Sequence, residues 1–328
     1  MAQRNQYARS RTARLAVDRL EPRDCPACVV YQAGATVHIL GDDAANTVII
    51  NEVGAHPPFI AGGLTITADG ATTTFPAASV LRVAVQARGG DDVVTFQSSA
   101  LAGKDGVSSL SLNLGTGNDV ADVNVSRNTL APADFVGTWS LTVTGSSGDD
   151  AVVTRFGRID LHSVRVQANL GDGNDTFAAL FGGPIAEANG KAALIRLSVQ
   201  GGPGDDAMDL EALTQAELTD LTAVFQGGTG GDHITMAAAF SGNTPSPVRL
   251  RALAGAGNDL VSVYLANTTP PGEFINSVVI DGGAGADDLS FDGLGQPACD
   301  AVIDGGIGFD VAWLGDLSAD IRNCEMVI

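Results

Sequence analysis

The chain has 328 residues, of which 45% are apolar and 17% charged, a balance that allows a sizeable core and excludes an acidic disordered protein. Its formal net charge of -20 comes from 31 Asp and only 7 Glu. A field of this sign repels nucleic acid and anionic membranes and attracts cations. No apolar run approaches the ~18 residues of a membrane span, so we expect no transmembrane segment.

The first predicted segment, residues 1–28, is a basic leader. Six arginines against Asp18 and Glu21 give the first 23 residues a net charge of +4, and the segment lacks both a strand pattern and the apolar core of a secretory signal. We expect it to be disordered and outside the fold. The sequence Leu20-Glu21-Pro22-Arg23, followed by Pro26-Ala27, resembles the arginine-rich leader of many predicted surface and exported proteins of planctomycete bacteria. That resemblance implies export and a secreted or cell-surface location.

Residues 29–328 are predicted to form one domain, because a Gly-rich turn that ends in aspartate recurs along them, as at residues 201–206 and 282–287. Successive closing aspartates are 23 to 31 residues apart. A period in the twenties with one supersecondary unit per period is typical of a solenoid, in which neighbouring units bury their faces on one another. The nine closing aspartates are Asp92, Asp119, Asp150, Asp175, Asp206, Asp232, Asp259, Asp287 and Asp310.

Each turn lies between two predicted strands. Apolar and polar residues alternate before it, as at residues 110–114, and a second short apolar stretch follows it, as at residues 93–96. Two strands and a variable third segment make one coil of about 27 residues, and equivalent strands of successive coils are expected to stack about 4.8 Å apart. We therefore predict an all-β protein, a right-handed parallel β-helix or solenoid with about nine to ten coils.

The ends and the third segments are predicted to differ from the regular coils. Residues 29–86 are interpreted as an irregular N-terminal cap that contains a decayed copy of the turn, with Asn46 at the aspartate position. Regular repeats then occupy residues 87–313, and residues 314–328 form the C-terminal cap. The third segments, such as residues 211–220, are expected to be loops on one side of the solenoid, with a short helix as the alternative over residues 211–221.

The turns resemble the calcium-binding nonapeptide of repeat-in-toxin (hemolysin-type) proteins, Gly-Gly-x-Gly-x-Asp-x-U-x, where U is a large apolar residue. Residues 201–209, 227–235 and 282–290 match it in full. The chain departs from that family in having one nonapeptide per coil, whereas the family has tandem copies. The resemblance implies Ca²⁺ as the bound ion, with the nine closing aspartates as its ligands.

The chemistry of the turn supports a cation and leaves a metal-free interpretation open. Calcium takes six to eight oxygen ligands, and glycine lets backbone carbonyls turn inward beside a short carboxylate. Carboxylates stacked about 4.8 Å apart repel by roughly 1 kcal/mol in water and about 3 to 4 kcal/mol at an effective dielectric constant near 20. The preceding position alternates between Asp and Asn from Asp91 to Asp205, which keeps like charges off adjacent rungs. Aspartate also closes turns without any metal, by bonding to nearby backbone.

These features favour a non-enzymatic, exported, calcium-associated β-solenoid that serves as a surface or extracellular structural or adhesive module. Its expected partners are calcium ions and cell-surface polysaccharide or envelope components, and not nucleic acid. We predict no catalytic residue and no organic-cofactor site. Two alternatives stay open. One is a β-helix polysaccharide lyase or hydrolase, although few side chains, among them Trp139 and Trp313, are available to stack on a sugar. The other is a self-associating assembly unit.

The four cysteines give a weaker signal. Cys25 and Cys28 have redox-like spacing at the end of the leader, without the surrounding pattern of a thioredoxin-like unit. Cys299 and Cys324 are 25 residues apart, close to one period. We therefore expect these two to be close in space and able to bridge the last coils in an oxidising compartment.

Overall fold

A computed structural model provides the fold of the chain. The structure describes residues 28–53, 62–76, 79–99, 107–127, 138–159, 163–182, 193–214, 219–240, 247–267, 276–294, 299–315 and 319–328. The predicted leader therefore lies outside the described residues, except for Cys28.

Within these residues the chain forms 25 β-strands and no α-helix. In chain order the strands are β1 (Val29–Ala33), β2 (Thr36–Leu40), β3 (Thr47–Val53), β4 (Gly63–Ala68), β5 (Ala71–Pro76), β6 (Arg82–Gln86), β7 (Val93–Ser98), β8 (Ser109–Thr116), β9 (Val120–Arg127), β10 (Thr138–Ser147), β11 (Ala151–Ile159), β12 (Ser163–Asn169), β13 (Thr176–Phe181), β14 (Ala193–Pro203), β15 (Ala207–Thr214), β16 (Thr219–Thr229), β17 (His233–Phe240), β18 (Val248–Ala256), β19 (Leu260–Asn267), β20 (Asn276–Gly285), β21 (Asp288–Leu294), β22 (Cys299–Gly308), β23 (Val311–Leu314), β24 (Asp320–Arg322) and β25 (Met326–Val327). The described part of the chain accordingly has no helix of the length and apolarity that crossing a membrane requires.

Strands that precede an aspartate-closed turn stack in one sheet, and strands that follow it stack in a second. The first sheet has 12 strands in the order β1-β2-β6-β8-β10-β12-β14-β16-β18-β20-β22-β24, and the second has 13 in the order β25-β23-β21-β19-β17-β15-β13-β11-β9-β7-β3-β4-β5. Successive coils pair in parallel, so that Leu197 of β14 lies opposite Ala223 of β16. The predicted all-β solenoid with coils of about 27 residues is confirmed. The coil count differs somewhat from the predicted nine to ten, because the shorter pairs β2–β3 and β24–β25 continue the stack.

The core lies between the two sheets and is built by alternation along each strand. In β8, Leu110 and Leu112 are buried while the serine between them is exposed. Aromatic side chains stack from coil to coil: the ring of Phe156 lies 4.6 Å from that of Phe181 and meets Trp139 edge-on at 5.5 Å. Burying each large apolar side chain contributes about 1.5 to 3 kcal/mol, so this column holds the coils in register.

The N-terminal end of the stack is built from antiparallel strands. Strand β1 pairs with β2, and β3, β4 and β5 form a meander that extends the second sheet. The edge strand β5 is exposed along most of its length.

The expectation of a loop or short helix over residues 211–221 is wrong. Residues 211–214 complete β15 and residues 219–221 begin β16, and only residues 215–218 between them are outside the description. Glu211 lies between Leu180 and Ala237 in the parallel ladder. Pairing with both neighbouring coils overrides the helix propensity of this Ala-, Leu- and Glu-rich stretch.

The expectation that Cys299 and Cys324 are close is also wrong. Both are free thiols. Cys299 begins β22, opposite Asn276, whereas Cys324 lies beside the backbone of Gly305, six residues further along the same strand. At about 3.3 Å per residue, that separation is on the order of 20 Å, too far for a disulfide.

Candidate functional site

The predicted site residues lie on the turn edge, whose backbone is set by the fourth residue of each turn. Gly204 has a φ of +137°, and the glycines at the same position of the other eight turns have φ between +89° and +155°. A Cβ on Gly204 would also collide with the carbonyl oxygen of Gly173, one coil earlier. Only glycine meets both conditions. The turns that lack the first glycine of the motif, such as the one beginning at Leu170, keep this fourth one.

The nine closing aspartates form one continuous ladder inside the turn edge, here called the inner ladder. Each is at most 3% exposed. The backbone N–H of each of the first eight aspartates donates to Oδ1 of the aspartate one coil further on, as Asp175 N–H does to Asp206 Oδ1 at 2.8 Å. These bonds join all nine residues, with N···O distances between 2.7 and 3.0 Å. The structure thus brings the predicted residues together as one column.

Both ends of the inner ladder are completed by other residues. At the N-terminal end, the N–H of the buried Asn46 donates to Asp92 Oδ1 at 2.6 Å. At the C-terminal end, Glu325 Oε2 accepts the N–H of Asp310 at 2.7 Å. The sequence pattern pointed to Asn46 through its decayed turn. It gave no signal for Glu325, because no Gly-rich turn precedes that residue.

The second carboxylate oxygen, Oδ2, of every inner-ladder aspartate is buried and has no hydrogen-bond partner. Burial raises the pKa of Asp206 to about 7, although the N–H of Asp175 acts in the opposite direction. Burial likewise raises the pKa of Asp150 to about 7 and the pKa values of Asp259 and Asp287 to about 6. Nearby carboxylates add to the rise. In the metal-free protein these groups therefore hold protons far more readily than ordinary aspartates.

In five turns the free Oδ2 and a backbone carbonyl of the next stretch of chain both lie beside the first glycine of the turn. Asp206 Oδ2 and the carbonyl oxygen of Gly227 both lie within 2.7 Å of the place that a Cβ on Gly201 would occupy. The first glycine therefore leaves open the space that a side chain would fill beside an unpartnered carboxylate oxygen and a backbone carbonyl oxygen, and we call this space the cradle. The same cradle occurs at Gly145, Gly201, Gly227, Gly282 and Gly305.

The two oxygens of each cradle are of the type that calcium binds, but they are too few to fill its coordination shell. A carboxylate oxygen and a carbonyl are the hard ligands that calcium takes, but calcium takes six to eight of them and each cradle offers two. Among the described residues, no group of three or more His, Cys, Asp or Glu is arranged to hold a metal. Water or neighbouring backbone would have to complete the shell. A proton on Oδ2 would join the same two oxygens by a single hydrogen bond.

A second ladder, here called the outer ladder, runs along the solvent side of the turns through the preceding residues. Its bonds run in the opposite direction: the N–H of Asp205 donates to Asn174 Oδ1, and the N–H of Gly231 donates to Asp205 Oδ1. Asp149 and Asn118 repeat the pattern. Asp and Asn therefore occupy successive rungs, and the charged side chains remain exposed.

Other side chains that could bear on function do not join the inner ladder. Asp205 is exposed while Asp206 is buried, so this Asp-Asp pair does not form one acid–base site. His233 Nε2 lies 3.3 Å from Thr235 Oγ1 on the exposed face of the second sheet. Trp139 is fully buried and cannot stack on a sugar.

In comparisons with known proteins, the chain matches no family, no curated protein and no solved structure.

Proposed function

We propose that this β-solenoid is a non-enzymatic structural or adhesive module, exported or held at the cell surface, whose turn edge takes up calcium. One observation carries the calcium part of the proposal: in five turns a buried, unpartnered carboxylate oxygen and a backbone carbonyl oxygen border the same small space beside the first glycine. Two oxygens so placed repel each other until a cation or a proton lies between them. The proposed export and location rest on the resemblance of the leader.

The non-enzymatic part of the proposal is supported by how the polar residues are used. The buried carboxylates bind the backbone of adjacent coils, and the Asp-Asp pairs point to opposite sides of the chain. Side chains in such a repeating arrangement stabilise a scaffold. Acid–base catalysis instead needs two groups in different protonation states close together at one site.

A calcium titration of the full chain tests the proposal. Calcium that binds only the folded turns should raise the melting temperature in proportion to RT ln(1 + [Ca]/Kd) for each independent site, and it should give a measurable heat of binding. Magnesium should substitute poorly, because it demands a smaller octahedral shell. Circular dichroism in calcium, magnesium and excess chelator gives the comparison.

Adjacent carboxylates of the two ladders provide matched variants. Asp206→Asn should reduce the calcium-induced rise in melting temperature, whereas Asp205→Asn, on the exposed outer ladder, should change it little. Identical melting curves in calcium and in chelator, with no heat of binding, would show that the turns are structural alone.

A second candidate function, a self-associating assembly unit, is favoured by the C-terminal coil. Ile307 is 78% exposed and Phe309 57% exposed, and the neighbouring strand β25 is the edge of its sheet. An exposed apolar edge is a template for pairing with another chain. Sedimentation at increasing concentration should then show oligomers that Phe309→Ser weakens and that Val120→Ser, at an exposed site in the middle of the stack, does not. A monomer at every concentration would exclude this candidate.

A further inference from the structure

One outward-facing row of side chains crosses the first sheet from coil to coil and is rich in arginine. Arg165 of β12 lies directly opposite Arg196 of β14, and both are exposed. We call this set the arginine row. In stacking order from β6 to β18 its members are Arg82, Ser109, Ser140, Arg165, Arg196, Thr222 and Arg249, and the same register continues beyond them through Ser277 to Asp300.

Positive charge is concentrated on the part of this face formed by strands β6 to β18, whereas β20, β22 and β24 bring Asp281, Asp300, Asp304 and Asp320 to the same sheet. Strands β6, β8, β10, β12, β14, β16 and β18 contain five arginines, those of the row and Arg251, and a single acid, Asp220. Asp220 pairs with Arg249 at 2.9 Å. Within the part of the chain that the structure describes, the other four arginines form no ion pair.

The outer face of the second sheet has the opposite character. Asp122, Asp209, Asp288 and Asp292 lie on it with exposed or half-buried side chains. Its exposed Arg155 is neutralised by an ion pair with Asp122. Over β6 to β18 the outer face of the first sheet therefore carries net positive charge, and Arg82, Arg165 and Arg196 there have no ion-pair partner among the described residues.

The arginine row favours a bound anion. Like charges directly opposite on neighbouring strands are destabilising, and here they are about 4.8 Å apart. The carboxylates of the turn edge do not cancel them, because surface charges beyond about 8 Å are largely screened at physiological salt. A guanidinium group binds carboxylate or sulfate through two parallel hydrogen bonds.

A row of amides and hydroxyls runs parallel to the arginine row, four residues further along each strand. Gln200 Nε2 donates to Gln226 Oε1 at 2.9 Å within it. Such side chains both donate and accept, as sugar hydroxyls require. The members are Gln86, Asn113, Thr144, Asn169, Gln200 and Gln226.

We propose that the arginine row binds a linear acidic polysaccharide, with carboxylate or sulfate groups, laid across the strands along the solenoid. From Arg82 to Arg249 the row covers six strand spacings, about 29 Å, with its four arginines about 10 Å apart on average. This inference deepens the adhesive part of the proposed function by naming the surface and the partner, and it does not require calcium.

The same face is poorly suited to nucleic acid. Duplex DNA carries one negative charge per ~1.7 Å of its axis, far denser than the arginine row. Single strands bind through aromatic platforms on which bases stack. In strands β6 to β18 of the first sheet, the aromatic residues are Trp139 and Phe225, and both are fully buried.

Binding of defined polymers to the full chain tests the proposal. The probes are dextran sulfate, polygalacturonate, neutral dextran and a DNA duplex, each measured at low and high salt, in calcium and in chelator. The wild-type chain should bind one or both acidic polysaccharides, more weakly at high salt, and should not bind neutral dextran. Arg165→Gln should weaken binding by about tenfold, as loss of a charge-assisted pair of hydrogen bonds predicts, and Arg165→Gln with Arg196→Gln by more.

Arg155→Gln is the matched control, since it removes one exposed arginine from the other sheet, and it should change affinity by no more than about twofold. Binding that persists in chelator would support the arginine row even if the calcium proposal fails. The proposal is overturned if neither acidic polysaccharide binds, if Arg155→Gln weakens binding as much as Arg165→Gln, or if DNA binds more tightly than both polysaccharides. Circular dichroism of each variant confirms that the fold is retained.

Discussion

Replacing Asp206 by asparagine separates the roles of the two oxygens of this carboxylate. Oδ1 accepts the N–H of Asp175, and asparagine keeps that acceptor. Oδ2 and the carbonyl oxygen of Gly227 both lie beside Gly201, and we expect the amide NH₂ of asparagine to donate to that carbonyl. In chelator at pH 8, we therefore expect Asp206→Asn to be more stable than the wild-type chain.

The magnitude follows from the pKa. Asp206 is 1% exposed, and burial raises its pKa from 3.8 to about 7. A rise of this size corresponds to roughly 4 kcal/mol of cost for keeping the group ionised in the folded state. At about 2 °C per kcal/mol, the melting temperature of Asp206→Asn should exceed that of the wild type by roughly 8 °C at pH 8.

The sign of the pH dependence is fixed by the same shift. Because the pKa of Asp206 is higher in the folded than in the unfolded protein, the folded wild type holds more protons. The contribution of Asp206 to stability is therefore fully present below about pH 4 and is lost as the pH rises towards 7. Asparagine does not titrate. The advantage of Asp206→Asn should therefore be small at pH 4 and grow to its full value by pH 8.

Thermal melts in chelator at several pH values provide the measurement, with Asp206→Ala as a second variant. Alanine leaves the buried N–H of Asp175 without an acceptor, so it should be less stable than asparagine by about 1 to 3 kcal/mol at every pH. An Asp206→Asn variant that is no more stable than the wild type at pH 8, or equally more stable at pH 4, would refute the reasoning.

Two further predictions concern the backbone of the turns and the end of the inner ladder. Gly204→Ala should lower the free energy of unfolding by at least about 3 kcal/mol, because the φ of Gly204 is +137° and an added Cβ would collide with a backbone carbonyl. The control Gly182→Ala should be nearly neutral, because no atom lies within 4 Å of the added Cβ. Urea unfolding of both variants gives the comparison. Glu325→Ala should speed hydrogen exchange of the buried Asp310 amide by about tenfold or more and leave exchange in the central coils unchanged. Glu325→Gln keeps the acceptor, so exchange of the Asp310 amide should stay as slow as in the wild type.

The repeat period and strand alternation were enough to predict the solenoid and to place all nine closing aspartates on one edge. Those signals come from local spacing, which stacking converts directly into position. The direction of each side chain was not predictable in that way. Spacing alone suggested carboxylates facing one another, whereas the structure places Asp206 Oδ1 on a backbone N–H of the preceding coil. The prediction that Cys299 and Cys324 are close was wrong for a related reason. A separation near one period does not fix where in the coil each residue lies, and Cys324 lies at the turn whereas Cys299 begins a strand.

The chain itself shows that the turn does not need a charged residue at the ladder position. Asn46 is buried beside Gly41 with its Oδ1 towards that glycine, where Oδ1 accepts the N–H of Asp42 at 3.1 Å, and the backbone N–H of Asn46 starts the inner ladder without a carboxylate at this position. On the outer ladder, Asn118 and Asn174 accept the same kind of bond that Asp149 accepts. An amide would therefore satisfy the backbone at the nine inner positions without the desolvation cost that burial of a carboxylate incurs. Carboxylates at those positions stabilise the fold only when a proton or a cation joins their free oxygens. The inner ladder is thus a column of buried acids whose ionisation is costly to the fold, which is the physical basis for predicting that the turn edge responds to pH and, as proposed above, to calcium.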